Sequence, residues 1–416
     1  MFANTFSTFV LSNGLTVVHA LRPQSSNVSI SVMVLAGSIY ETKDEVGVAH
    51  FMEHLVSDGT EKYPTTEAVS LRIDGRGGTR SAITNKETIE YTVRVLAEDA
   101  EIDFDYLSQI IIHPLLRDVD IENQKKIITQ EINRLKANPE QVIQRHVYTV
   151  LFPSSRLASF VTGDVADVKR ISRAESTSYH QRTHCAKNMI ISVCGGITVG
   201  QVREFTEKYF GELTSGQKIS RIVIPDTKIG QPLSIQIPKI DQAFLALGYR
   251  GFDASTPAHY AANILSILLS RGKSSRLFRE VREKRALAYA VFCSHFASRN
   301  FGTFMIQTGL SQENIAQCIE VIKAELAKTV SIEVTDDELK KILAQIRANY
   351  AFSFESTLSE ASFYARSWCN LGKNETMEQQ LTDYEAVIHN PGFISETAAR
   401  MFAGEPAIVT IEDSAT

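Results

Sequence analysis

The sequence has no run of about 18 apolar residues, so nothing in it is long enough to cross a bilayer as a helix. Its five cysteines are an odd number spread over 416 residues with no Cys-x-x-Cys pair. That excludes a disulfide framework and a thiolate zinc site, and the cysteines are expected to be reduced core thiols. The net charge of −5 leaves no basic footprint and argues against a dedicated nucleic-acid binder. The only glycine-rich stretch, Gly75-Arg76-Gly77-Gly78, lacks the Lys-Ser/Thr of a phosphate loop. The start, Met1-Phe2-Ala3-Asn4-Thr5-Phe6, has neither a charged n-region nor an apolar h-region, and no Arg-rich transit segment follows. A cytoplasmic location is expected, or a periplasmic or organellar one if a leader has been removed.

What remains is ordinary globular composition, 44% hydrophobic and 22% charged, with length for two to four domains. Phe6–Leu11 and Leu15–Leu21 read as strands around Asn13-Gly14, a two-residue hairpin signal, and Val28–Leu35 as a third strand. Gly47 to Ser57 and Thr66–Ile73 carry helical spacing. Thr79–Asn85 and Thr88–Leu96 form a hairpin opened by Gly77-Gly78. Asp103–His113, Ile121–Asn138 and Glu140–Phe152 read as helices, Met189–Val193 as a strand and Val199–Phe210 as a helix. Residues 214–232, rich in Ser, Gly, Lys, Pro and Asp, read as a linker between a domain at 1–213 and one at 233–416. The second half repeats the order: strands Leu233–Ile237 and Phe244–Tyr249, helices Pro257–Leu269 and Ser275–Lys284, a hairpin Ala288–Ser298/Gly302–Gly309, and helix Glu313–Val330. Helical sequence runs from Thr335 to His389, and a strand at 407–411 closes the chain. Two α+β halves of one duplicated unit is the economical reading.

The stretch that carries chemistry is His50-Phe51-Met52-Glu53-His54. His50 and His54 are four residues apart, so a helix puts both imidazoles on one face, able to seat one Zn²⁺. Glu53 shares that face and can take a proton from a water whose pKa zinc lowers to about 7. A third ligand must come from elsewhere. Glu131, in Ile128-Thr129-Gln130-Glu131-Ile132 on the long amphipathic helix downstream, is the candidate. Two histidines and a glutamate with an open fourth position are a catalytic rather than a structural zinc set. The other histidines show no such spacing; His180 and His184 are four apart with no acidic residue placed as a base, and read as ordinary helix or surface residues.

Gly47-Val48-Ala49-His50-Phe51-Met52-Glu53-His54-Leu55 running into Asp58-Gly59-Thr60 resembles the hallmark of the pitrilysin/insulinase family of inverted-motif zinc metallopeptidases. Further ordered matches support it. They are Asn13-Gly14-Leu15, Gly77-Gly78 before Ser81-Ala82-Ile83-Thr84 and Glu87-Thr88-Ile89-Glu90-Tyr91, Glu131, and Asn188-Met189 with Gly195. In the second half, Ser275-Arg276-Leu277-Phe278 precedes Arg282-Glu283-Lys284 and Ala286-Leu287-Ala288-Tyr289.

The resemblance implies two homologous α/β-sandwich domains, each a mixed or antiparallel sheet with helices on one face. It implies one Zn²⁺ per chain on His50, His54 and Glu131, with Glu53 as the general base that activates the zinc-bound water. It also implies an edge strand, Thr79, Arg80, Ser81, Ala82 and Ile83, that takes an extended peptide substrate. Arg282 and Tyr289 are implied as substrate contacts near the scissile bond. One departure stands out: the family often carries a second glutamate seven residues before the third ligand, and here that residue is Gln124. The missing charge implies a slower enzyme or a shifted pH optimum. Full-length relatives close four such domains into a chamber; this chain supplies two, which implies a homodimer, with a heterodimer including a zinc-free paralogue left open. The function implied is zinc endopeptidase action on peptides or small unfolded proteins. A precursor-processing peptidase with a paralogous partner and a non-catalytic scaffold subunit of the same fold are the alternatives.

Overall fold

The computed structural model describes residues 5–331 and 334–414. Along the chain run β1 (Thr5–Val10), β2 (Thr16–Leu21), β3 (Asn27–Val34), α1 (Val48–Leu55), α2 (Thr66–Asp74), β4 (Thr79–Thr84), β5 (Ile89–Leu96), α3 (Ala100–Ile112), α4 (Asp118–Lys136), α5 (Pro139–Leu151), α6 (Val165–Arg170), α7 (Arg173–Thr183), β6 (Met189–Gly195) and α8 (Val199–Phe210). Then come β7 (Leu233–Ile237), β8 (Ala243–Gly251), α9 (Ala258–Ser270), β9 (Ala288–Ala297), β10 (Gly302–Leu310), α10 (Ile315–Ser331), α11 (Asp336–Ser353), α12 (Thr357–Leu371), α13 (Met377–Ile388), α14 (Pro391–Met401) and β11 (Ala407–Asp413). Among the described residues, no helix is long and apolar enough to cross a membrane.

Two sheets form. The first has the order β1-β2-β6-β3-β5-β4 and the second β7-β11-β8-β10-β9. Leaving β1 aside, both place their five strands first, last, second, fourth, third in chain order. In both, the first strand pairs parallel with the last, β2 with β6 and β7 with β11. Shared topology, down to the one parallel pair, is the structural form of the duplication.

The compact units are not contiguous halves. One comprises residues 1–133, 159–220 and 351–375; the other 134–158, 221–350 and 376–416. The break at 220/221 falls inside the expected linker 214–232. The difference from 1–213 and 233–416 is that α5 belongs to the second unit and α12 to the first. The cause is packing. Gly248 of β8 lies against Val147 and Leu151 of α5. In the first unit, Ser29 Oγ of β3 meets Thr357 Oγ1 of α12 at 2.8 Å.

Both sheets are mixed and helix-packed as expected, and a helix also reaches the second face at their middle strands, α12 at β3 and β6 and α5 at β8 and β11. In the first unit Val28, Ile30, Val32 and Val34 of β3 join Phe51 and Met52 of α1 and Phe104 and Leu107 of α3 in one core. The alternate residues Ser29 and Ser31 are also buried, on the α12 side. In the second unit Leu245, Leu247 and Tyr249 of β8 face α9, α10 and α14.

Smaller expectations shift too. Asn13-Gly14 does not make a two-residue loop. Leu11 and Leu15 pair, Gly14 N–H donates to Leu11 O at 2.9 Å, and Gly14 takes a left-handed φ of 93°, the three-residue hairpin form. Asn13 closes the turn onto Leu15 N–H and donates to the carbonyls of Phe210 and Leu213. The helix expected at Ser275–Lys284 is a π-helical segment at Phe278–Glu283. His180 lies on helix α7 as allowed for and is half-buried, while His184 is buried; their rings stack at 4.7 Å, His180 on the carbonyl of Ile111 and His184 on Tyr91. None of the five cysteines forms a disulfide, and only Cys293 is less than fully buried.

Arg276, in the second-half block, is a structural residue. It forms a two-pronged bond to Glu338 at 2.9 and 2.8 Å, and Glu338 also accepts from Thr335 N–H at the start of α11. The Arg276 bonds hold the Glu338 carboxyl at about 2. Arg276→Ala is expected to cost about 1–2 kcal/mol at neutral pH, the pair being partly exposed. Because the folded-state pKa is depressed, this stabilisation is present above the ordinary glutamate range and is lost as pH falls towards 2. Urea unfolding of both proteins at pH 7 and pH 4 checks it: the gap narrows at the lower pH.

Candidate metal centre

Helix α1 begins at Gly47, whose φ of 89° is left-handed and whose Cβ, if present, would sit 2.9 Å from the Thr162 carbonyl. The Glu41 carboxylate accepts the Ala49 N–H at 2.9 Å and caps the first turn. Eight residues are too few for a stable isolated helix. Packing holds it instead: Val48, Ala49, Phe51, Met52 and Leu55 are buried, worth about 1.5–3 kcal/mol for each larger side chain. The residues left for the other face are His50, Glu53 and His54. Helix α4 buries Ile121, Gln124, Ile128 and Ile132, and so turns Glu131 towards α1.

His50 Nε2 lies 3.6 Å from Glu131 Oε1 and His54 Nε2 lies 3.5 Å from Glu131 Oε2. The imidazole centroids are 4.7 Å apart. Ligand atoms of all three residues fall within 4.8 Å of one another, the one such group of His, Cys, Asp and Glu among the described residues. Hydrogen bonds are shorter than this. Ligands about 2.1 Å from a tetrahedral zinc stand about 3.4 Å apart, so the two His–Glu spacings fit a shared ion better than direct bonds. Burial lowers the His54 pKa, and the neighbouring His50 lowers it further, which favours the neutral imidazole a metal requires; Glu53, Glu131 and Gln124 act in the opposite sense.

Glu53 is held from the side. Thr84, at the end of β4, donates its hydroxyl to Glu53 Oε2 at 2.5 Å. Gln124 donates its Nε2–H to Asp58 Oδ2 at 2.7 Å. A cavity of about 280 Å³ opens beside these residues, lined among others by Glu53, His54, Asp58, Arg80, Tyr91 and Tyr106. β4 is the edge strand of its sheet, with Thr79, Arg80, Ser81 and Ile83 exposed and Ala82 half-buried. Arg80 is occupied locally, by Ser70 at 2.8 Å and Asp74 at 3.6 Å.

Arg282 and Tyr289 lie in the second unit. The Arg282 guanidinium is 4.3 Å from the centre of the Tyr289 ring and 5.0 Å from that of Phe278. Tyr289 is 78% exposed. Glu280, two residues before Arg282, pairs with Lys284 and Arg285.

Sequence reading singled out Gln124 but not its partner Asp58, and it missed the Thr84–Glu53 contact. Thr84 and Glu53 are 31 positions apart, and Asp58 and Gln124 are 66 apart, so no local spacing signals either pair.

Residues 16–164 match the family model of the insulinase family (peptidase family M16), and residues 170–346 match that of the peptidase M16 inactive domain. The chain belongs to the pitrilysin/insulinase, or M16, family of peptidases. It is 26% identical to the uncharacterized zinc protease YmxG of Bacillus subtilis over 98% of each chain. The fold is that of a protease from Helicobacter pylori (TM-score 0.84, 21% identity, 98% of this chain and 99% of that one). It is equally that of a peptidase M16 inactive domain from Pseudomonas fluorescens (TM-score 0.88, 17% identity, 99% and 98%). The metal cluster and Glu53 all fall within 16–164, and none of them within the region matching the inactive domain.

Proposed function

We propose that the protein is a zinc-dependent endopeptidase that hydrolyses peptides or small unfolded proteins. The observation that carries it is the convergence of His50, His54 and Glu131 beside a positioned Glu53. The zinc-protease relatives at 26–27% identity support it. One Zn²⁺ per chain would be held by those three side chains, leaving the fourth position open; it would supply Lewis acidity, drawing the pKa of water down to about 7 and polarising a carbonyl.

The chain's own residues do the rest. The Thr84 hydroxyl occupies one oxygen of Glu53, leaving the other to take a proton from the attacking water and return it to the leaving amine. The free backbone edge of β4 holds the peptide extended, adding a strand to the sheet. Arg282 and Tyr289 act as substrate contacts, a role supported by the exposed Tyr289 hydroxyl and by a guanidinium that stacks rather than pairing with Glu280. Two copies of the chain complete the reaction chamber. A homodimer is favoured because the metal set and the Arg/Tyr pair occur in the same chain.

The test is hydrolysis of a mixture of internally quenched peptides by the purified chain. Cleavage is expected to stop on treatment with 1,10-phenanthroline and to return with stoichiometric zinc. Cleavage that survives complete metal removal contradicts the proposal.

A further inference from the structure

Gln124 carries no charge where the resemblance expects a glutamate, yet the structure gives it a charged partner. Its Nε2–H donates to Asp58 Oδ2 at 2.7 Å. An amide has one donating end and one accepting end, and an ionised carboxylate can only accept. Asp58 therefore decides which way the Gln124 amide faces. Oε1 is turned away from Asp58, is buried, and has no partner at full hydrogen-bond geometry. His54 lines the same cavity as Asp58 and Gln124, and the Gln124 side chain acts on its imidazole.

Asp58 is itself fixed. Its N–H donates to Leu55 O at 3.2 Å at the end of α1, and its carbonyl accepts from Thr66 Oγ1 at 3.3 Å and Arg117 Nη2 at 3.4 Å. His50 has no comparable support: its Nδ1 is buried without a hydrogen-bond partner. A histidine ligand is held in the right tautomer and orientation by the acceptor at its second ring nitrogen. Of the two histidines, His54 is the one with a buried, unsatisfied acceptor beside it, the Gln124 amide oxygen.

We propose that Asp58, acting through the Gln124 amide, is a positioning residue for His54, so that a carboxylate–amide–imidazole relay stands where the resemblance expects a glutamate. Asp58 orients Gln124, and Gln124 Oε1 accepts from the ring N–H of His54, leaving Nε2 free for the metal. The inference rests on reading His50, His54 and Glu131 as a zinc site. It is separable from that reading, because it concerns how tightly the ion is held.

The experiment measures zinc affinity of the full chain by competition with a chromophoric chelator, alongside the melting temperature of each metal-free variant. Asp58→Ala is expected to weaken zinc binding about tenfold, the lower end of what outer partners of metal ligands contribute. Gln124→Met, which deletes both amide bonds at similar volume, is expected to lose about as much. The double variant should be no weaker than Gln124→Met alone, because both act along one path. Asp58→Asn, which keeps an acceptor for the amide, should recover most of the loss. Wild-type affinity in Asp58→Ala or Gln124→Met, or losses that multiply in the double variant, overturns the relay. If Asp58→Ala does not fold, Gln124→Met carries the same test. A wild-type chain that binds no zinc overturns the zinc reading and the relay with it.

Discussion

Glu53→Gln is expected to lower the rate of peptide cleavage about 10²–10⁴-fold while leaving zinc content unchanged. Glutamine keeps the size of the side chain and can still meet the Thr84 hydroxyl, but it has no basic oxygen to take a proton. Glu53 is not one of the three ligand residues, so the metal should remain. The loss should appear in kcat rather than KM, since proton transfer matters in the transition state and not in the bound peptide. Single-turnover cleavage, with zinc measured on the same sample, separates the two effects. A variant that loses zinc, or that cleaves within about tenfold of wild type, contradicts the role given to Glu53.

The second large effect concerns folding. Arg22 follows β2, and its guanidinium meets Glu360 of α12 at 2.5 Å and also the Phe354 carbonyl. The Glu360 side chain is fully buried, and accepts in addition from Cys194 Sγ at 3.0 Å and Tyr364 at 3.3 Å. Burial and the adjacent Glu360 charge push the Cys194 thiol up, so it stays a neutral donor. Arg22→Leu would strand a buried carboxylate, and the expected loss is about 3–5 kcal/mol. The paired change Arg22→Leu/Glu360→Leu should recover part of it, because well-packed apolar residues often replace a buried ion pair without cost. Urea unfolding measures both. A loss below about 1 kcal/mol in Arg22→Leu would mean that this pair does not hold α12 on the first sheet.

These two sites show how unevenly the molecule is written in its sequence. His50, Glu53 and His54 were legible because helix geometry maps a spacing of four residues directly onto one face. Glu131 was legible from its place in a long amphipathic helix and from the family pattern. The hairpins and most helices followed from alternation, helical spacing and turn residues. Helices α6 and α7 escaped that reading although both begin with reciprocal caps, Asp164 with Asp167 and Ser172 with Glu175. Their short, polar runs carry little hydrophobic period. Helix α7 buries only Ser176, Tyr179 and Thr183. The assignment of α5 and α12 to units remote from their sequence neighbours was not legible at all. An amphipathic helix declares that it has an apolar face, not which sheet will cover it. Gly248 beneath Val147, and Ser29 beside Thr357, decide that by contacts roughly 100 and 330 positions apart in the chain. Asp58 against Gln124 and Thr84 against Glu53 are the same lesson at the site: the two histidines and Glu53 are local to one helix, and what supports them is not.

The most direct measurement is the zinc stoichiometry of the purified chain beside His54→Ala, with the zinc position located by anomalous scattering in crystals of the wild type. One zinc per chain, lying between His50 Nε2, His54 Nε2 and the Glu131 carboxylate and lost in His54→Ala, is the predicted result. A folded wild-type chain that takes up no zinc, or holds it away from these three residues, would contradict it.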